Sequence, residues 1–423
     1  MNIVVLGQGT RGDLYPLLGM ARALLARRHR VTVLEYDEYA SDVEDAGLPF
    51  LPVGTGSQCA HVFENVPAGP ATPSTEWTTD RLYFEASLRS ARPFATALAG
   101  LRPRPDAIVS PALHIGAALG GELIGAPVTA TFLGMSMPSA FDTRTASGMR
   151  ARSEERRVRI VDRLVLPGIA AARRDLGLGA EPGEATFARV DRAGGLVLAA
   201  GPLATAPTAL PRTFEIAGYP DYYGPRRWQL DEPTKRFLVD SGLPVVVCSL
   251  GDGWARALPE PLRRLVEHAG RGRYRLLVIG GRMPALETGP GARLVARADL
   301  REVLQYADVS VNHGGMGTLV AALRAAVPSV MTTQWPDGRR NAAALAAHGL
   351  GVDLGSAPAP EELLGAVDAA IGGHTMKARL RAARAAMRSE RDPADALLDR
   401  LHRQREGRTN DAETGAGGGG SSR

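Results

Sequence analysis

The chain has 423 residues, 44% of them hydrophobic and 22% charged, with a formal charge of +5. At roughly 100–200 residues per domain the length predicts about two to three domains, and the composition excludes a disordered or fibrous chain. The basic residues are 48 arginines and two lysines, Lys235 and Lys377, against 45 acids, too thin an excess to call for a nucleic-acid partner.

Cys59 and Cys248 lie far apart and match no metal or redox spacing, which suits a reduced, cytoplasmic setting. Met1 leads directly into Ile3-Val4-Val5-Leu6, without the basic leader and long apolar core of an export signal. After that β-prone run and a glycine turn come Leu14, Leu17, Leu18, Ala21, Leu24 and Leu25, spaced for one face of a helix. The rhythm repeats at Val31 to Leu34 and in a short segment closing at Val53, then at Ala107 to Ser110, Val128 to Phe132 and Leu196 to Ala199. Alternating apolar strands and helices predict an α/β fold, with a doubly wound parallel sheet covered on both faces.

Residues 107–138 hold Glu122 as their one formal charge, but Pro111, Gly120, Gly121, Gly125 and Pro127 punctuate them. Buried strands and a helix are predicted there, with no stable membrane insertion. Arg150 to Arg174 contains eight arginines and reads as a solvated helix face. On this reading 1–207 is a first domain, and the proline-interrupted 208–240 is an interdomain linker. Val245 to Cys248 restarts the rhythm, which continues through Leu276 to Ile279, Val309 to Val311 and Ser329 to Met331 as a second α/β domain over 241–379. Residues 404–423, ending in a Gly-Ser run, read as a disordered tail.

Two glycine loops carry the chemistry. Gly7-Gln8-Gly9-Thr10-Arg11-Gly12 satisfies G-x-G-x-x-G between a strand and a helix, and Glu35 stands about 20 residues on, as in a dinucleotide site. Asp13 speaks against that reading, because a carboxylate at a helix N-terminus repels a pyrophosphate seated there. With the helix dipole and Arg11 keeping it ionised, Asp13 suits the removal of a proton from an acceptor above the sheet; capping the helix is the other reading. In the second loop, His313-Gly314-Gly315-Met316-Gly317-Thr318 follows a strand and opens a helix. The N–H groups of Gly315, Met316, Gly317 and Thr318 suit a phosphate, while His313 either donates to it or is an ordinary core histidine. Asp337, after the next strand, either clamps sugar hydroxyls or caps a helix.

With these motifs the sequence resembles the nucleotide-sugar-dependent glycosyltransferases that decorate macrolides, glycopeptides and other natural products. Residues 9–16, G-T-R-G-D-L-Y-P, are similar to the S/T-R-G-D-x-x-P start of the glycopeptide and sterol branches, whose acid replaces a histidine base. H-G-G-M-G-T at 313–318 is similar to the H-x-G-x-G-[ST] donor motif, and residues 327–342 match the spacing of the motif that follows it. The resemblance spans nearly the whole chain and implies the GT-B arrangement, two facing Rossmann-like domains with the acceptor mainly on the first and the nucleotide sugar mainly on the second. It also implies a terminal helix, within 380–403, crossing back to the first domain.

The implied reaction is an inverting, metal-independent transfer from a UDP- or dTDP-activated sugar to a small-molecule acceptor. Asp13 is the implied base, and His313, Gly314, Gly315, Met316, Gly317 and Thr318 the implied diphosphate cradle, with Thr10 and Arg11 reaching in from the other side. Gly251 and Gly253 fall beside the phosphates, Asp337 and Gly338 at the sugar, and Arg297, Ala298 and Val303 near the nucleobase. No Asp-x-Asp metal motif occurs. Three positions depart from the family pattern: Gly338 stands for the usual glutamine, Asp252 for a serine, and Asp299-Leu300 for Pro-Gln.

An apolar acceptor pocket is expected from Trp77, Phe84, Met135, Met137 and Phe141, although core packing accounts for any one of them equally well. A monomer or homodimer is expected. Two other readings compete with the transferase. A catalytically idle accessory protein that binds a partner enzyme is suggested by Gly338 and Asp252, and an NAD(P)- or FAD-dependent oxidoreductase rests on the 7–12 loop alone.

Overall fold

The computed structural model describes residues 1–8, 10–54, 73–134, 148–179, 193–204, 213–225, 228–250, 259–280, 288–333 and 336–416. Asn2–Leu6 (β1), Arg30–Glu35 (β2), Phe50–Pro52 (β3), Ala107–Pro111 (β4), Val128–Leu133 (β5), Gly195–Leu198 (β6) and Phe214–Ala217 (β7) form one sheet, ordered β3-β2-β1-β4-β5-β6-β7. Val245–Ser249 (β8), Arg275–Ile279 (β9), Ala292–Val295 (β10), Val309–Asn312 (β11), Ser329–Met331 (β12) and Gly351–Asp353 (β13) form a second, ordered β10-β9-β8-β11-β12-β13. Neighbouring strands pair in parallel throughout both sheets. A parallel sheet is covered on both faces, so its strands read as unbroken apolar runs. Ile3 to Leu6 and Val246 to Cys248 are accordingly buried along their whole length.

Each sheet is doubly wound, and the strand order reverses between β1 and β4 in the first and between β8 and β11 in the second. Crevices open at the carboxyl ends of strands beside such a reversal. The carboxyl end of β1 leads into α1, Arg11–Ala26, and that of β11 leads into a helix at Met316–Ala325. Both glycine loops thus stand at the reversal of their own sheet. The other helices needed below are α2 (Pro73–Gly100), α3 (Gly148–Asp175), α4 (the Met316–Ala325 helix), α5 (Pro336–Ala347), α6 (His374–Met387) and α7 (Pro393–Ala416).

The two-sheet α/β architecture is the one expected from the alternation, but the segment between the sheets differs. β7 lies within 208–240, read above as linker, and so does the helix Glu232–Val239. The prolines around Phe214 to Ala217 break the periodicity, and four residues are too few to announce a strand against that background. The chain end differs as well, because α7 begins at Pro393 and continues as helix through 404–416, a stretch read as part of the tail; 417–423 lie outside the described residues.

α7 packs against α1, β6 and β7. Leu397 and Leu401, both within 1% of complete burial, join the first core together with Leu380 of α6. Arg27, capping the end of α1, pairs with Asp392 and Asp395 at 3.0 and 2.8 Å, and Arg400 donates to the carbonyls of Thr213 and Ala193 at 3.0 and 2.7 Å. Among the described residues no helix is long and apolar enough to cross a membrane.

Because Leu397 fills the first core from the end of the chain, Leu397→Ala should cost roughly 2–5 kcal/mol. The cost should appear as a lower denaturant midpoint.

Candidate active site

The N-terminus of α1 carries Asp13 in its first turn. One carboxylate oxygen, Oδ2, accepts from the Thr10 N–H at 2.8 Å and from the Thr10 hydroxyl at 2.9 Å. The other, Oδ1, has no hydrogen-bond partner among the described residues. The two readings of Asp13 are therefore compatible: one oxygen ties down the helix start and orients the group, and the other is left open. Burial pushes the carboxyl up to about 6; the Thr10 bonds oppose the shift and the charge of Asp337, from the second sheet's side, adds to it.

Arg11 does not neutralise Asp13, contrary to the expectation from its position two residues away. Its guanidinium turns to the buried Asp42, with Nε at 3.0 Å and a terminal nitrogen at 2.9 Å, and lies over the Tyr39 ring. Asp42 also accepts from the Tyr15 hydroxyl at 3.0 Å. A guanidinium so engaged holds α1 to the segment after β2.

Glu35, the acid a dinucleotide site would turn toward a ribose, is 1% exposed. Its carboxyl lies under the first loop, where a Cβ on Gly7 would collide with it and with Leu14, and it accepts from the Tyr36 N–H at 3.0 Å. Burial raises its pKa to about 8, so it is a neutral acid at pH 7. Gly7 is thus a glycine that makes room for Glu35. The match to G-x-G-x-x-G has a packing cause, and the oxidoreductase reading loses the acidic residue it needs.

The second loop is fixed by its neighbours. Asn312, fully buried, accepts from the Gly314 N–H at 3.0 Å, and Asn341 of α5 donates to the Gly314 carbonyl at 3.0 Å. Gly314 has φ +80° and backs directly onto Gly338, whose carbonyl would stand 2.7 Å from a Cβ at 314. A Cβ at Gly338 would in turn meet the His313 carbonyl at 2.7 Å. The absence of glutamine at 338 therefore has a steric reason, since backbone packs on backbone here. Asn312 and Asn341 flank the motifs in the sequence, but only their contacts reveal that they set the loop.

α4 starts on Gly315, which has no side chain to cap it, so the N–H groups of Met316, Gly317 and Thr318 have no intrahelical partner. His313 Nδ1 faces the Ser249 carbonyl at 3.4 Å. Burial lowers its pKa, against the Ser249 contact and Asp337, which raise it. The Met316 side chain crosses to the first sheet's side, where a Cβ on Gly134, just past β5, would collide with it.

The other expected site residues divide. Arg297 is exposed and stacks over Trp228 at 5.1 Å, and Trp228 packs on Tyr15 of α1. Ala298 and Val303 are buried with Leu277 and Val245 in a core cluster. Phe84 is likewise a core residue, packed with Ala91, Ile115 and Val165. Gly251, Asp252, Gly253, Met135, Met137 and Phe141 lie outside the described residues, as does the side chain of Trp77 on α2. Asp337 is exposed in the first turn of α5. Among the described residues no three acidic, histidine or cysteine groups converge to hold a metal ion.

Comparison with known proteins matches this layout. A family model for the glycosyltransferase family 28 N-terminal domain covers residues 3–132, and one for the C-terminal domain of erythromycin biosynthesis protein CIII-like proteins covers 281–401, together more than half of the chain. The chain is 32% identical over 208 residues to the O-mycaminosyltylonolide 6-deoxyallosyltransferase of Streptomyces fradiae, a match to 46% of this chain and 47% of that one, so it spans about half of that relative's length. It is 24% identical to the glycosyltransferase GtfC of Amycolatopsis orientalis over 96% of this chain and 99% of that one. The solved structure of the glycosyltransferase SsfS6 from Streptomyces sp. SF2575, complexed with thymidine diphosphate, is similar with a TM-score of 0.66 at 20% identity, covering 96% and 99% of the two chains. That likeness establishes the fold as the two-domain GT-B arrangement.

Two outcomes are expected from the packing around the loops. Gly338→Ala should destabilise the chain by roughly 1–3 kcal/mol through overpacking, measured by urea unfolding. Folding raises the Glu35 pKa from 4.5 to about 8, so its native state holds a proton that the unfolded chain has lost. Stability is then full below about pH 4.5 and declines as pH rises toward 8. Glu35→Gln should flatten that decline in unfolding curves taken at several pH values.

Proposed function

We propose that this chain, which belongs to the nucleotide-sugar-dependent glycosyltransferase family of natural-product biosynthesis, moves a sugar from a dTDP- or UDP-activated donor to a small-molecule acceptor with inversion at the anomeric carbon. The observation that carries this reading is the opposition of two unlike helix starts. Asp13 occupies the first turn of α1 with one open oxygen, while α4 begins with uncapped N–H groups, and the charges of Asp13 and Asp337 reach each other between the two halves.

An acceptor hydroxyl over β1 gives its proton to Asp13 Oδ1 as its oxygen attacks the anomeric carbon. The bond from that carbon to the diphosphate breaks on the opposite face, and the charge leaving with the diphosphate is met by the amides of Met316, Gly317 and Thr318. Those amides are fixed before the reaction, so they require no reorganisation as charge develops. In this reading the leaving group is stabilised without a metal ion. His313, with Nδ1–H toward Ser249, presents Nε2 and donates to a phosphate oxygen only after taking up a proton, which the diphosphate charge favours. Asp337 lies beside the cradle for the sugar hydroxyls. The thymidine diphosphate in the SsfS6 complex supports dTDP as the nucleotide to try first.

The competing reading, an idle accessory protein, drew on Gly338, whose packing now explains its identity without loss of the loop. Turnover decides between the two. Incubation with dTDP- and UDP-sugars and an acceptor library should release free nucleoside diphosphate, and Asp13→Asn should lower the rate by on the order of 10²–10⁴-fold. Since the base acts ionised, kcat/KM should rise with pH through a limb centred near 6, and the Asn variant should lack that limb. Full turnover by Asp13→Asn would remove Asp13 from the chemistry.

A further inference from the structure

Tyr219 follows β7 in the segment that connects the two sheets. The residue is held at two points: the ring is buried, with 3% of the residue exposed, and Arg324 of α4 donates to the main-chain carbonyl at 2.5 Å. The hydroxyl is different. It has no hydrogen-bond partner among the described residues, and, unlike the hydroxyl of Tyr222, it is not sealed from solvent.

The position of that hydroxyl is defined from two sides. A Cβ on Gly317 would stand 3.2 Å from the phenol oxygen, so the hydroxyl lies against the second residue of α4, in the turn whose N–H groups are uncapped. Burial raises the phenol's pKa, the Tyr223 and Asp13 charges raise it further, and Arg324 opposes them. The group is therefore a protonated donor within electrostatic reach of Asp13. The ring is held in place while its hydroxyl bonds to no described protein group, and an uncapped helix start attracts anionic oxygen.

We propose that the Tyr219 hydroxyl donates a hydrogen bond to the diphosphate of the sugar donor, completing from the connecting segment the cradle that α4 begins. This rests on the reading of α4 as the donor site. The phosphate is favoured over the acceptor because the hydroxyl touches α4 itself, while Asp13 Oδ1 already serves the acceptor's proton. The connection between the two halves then contributes directly to donor binding, and a side chain at 317 would crowd the phenol oxygen.

The test compares the full-length wild-type chain with Tyr219→Phe, which removes one oxygen and keeps the ring. Calorimetric titration with dTDP and UDP should show binding weakened roughly ten- to hundredfold, the worth of a hydrogen bond to a charged group. Inorganic pyrophosphate, used as a competitor, should lose affinity in the same proportion, and the melting temperature should not fall, because the hydroxyl bonds to no protein group. Equal nucleotide binding by the two proteins overturns the proposal. So does a loss confined to dTDP and UDP that spares pyrophosphate, or a loss accompanied by a lower melting temperature. A wild-type chain that binds none of the three overturns the donor reading of α4 itself, an outcome distinct from equal binding.

Discussion

Arg324 sits near the end of α4 and holds the strip of chain that joins the two sheets. It donates to the Tyr219 carbonyl at 2.5 Å and to the Tyr223 hydroxyl at 2.7 Å, and lies 3.3 Å from Asp221. The other side of that strip is pressed against α1, where a Cβ on Gly19 would meet Pro220 and Tyr222 and where Tyr15 packs edge-on to Tyr222. One short segment is therefore gripped by both of the helices whose first turns face the cleft. The spacing of those turns follows from this grip, reinforced by α7 returning to the first core. Without it Asp13 and the α4 amides would be parts of two unrelated sheets.

The two helix starts are chemically opposite for local reasons. At α1 the Thr10 N–H and hydroxyl both donate to Asp13 Oδ2, which sets a carboxylate at that terminus and leaves its other oxygen over. At α4 the capping position is glycine, and the exposed amides keep their affinity for anions. One loop presents a carboxylate oxygen and the other a set of uncapped amides, although both were written with three glycines. The near-neutral value of Asp13 follows from burial and from Asp337, with Arg11 diverted to Asp42.

The glycines themselves have separate causes. Gly7 accommodates a buried carboxyl, Gly314 and Gly338 let two backbones touch, and Gly317 lies close to a phenol oxygen. At Gly7, Gly314 and Gly338 the close approach is of the protein to itself, which spacing alone does not distinguish from the close approach of a ligand. The replacement of glutamine by Gly338 belongs to the second kind.

Sequence alone determined the α/β alternation, the division into two sheets and the two glycine loops at strand ends, because these depend on periodicity and on residue types within a few positions of each other. The short strand β7 escaped it, since four residues among prolines carry too little pattern, and so did the true extent of the last helix. Tertiary structure decided everything that depends on partners distant in the chain. It turned Arg11 to Asp42, sank Glu35, Ala298, Val303 and Phe84 into cores, and brought Tyr219 from the connecting segment to Gly317. Local order sets which groups are available, and only the packing of one half on the other sets which of them remain unpaired in the cleft.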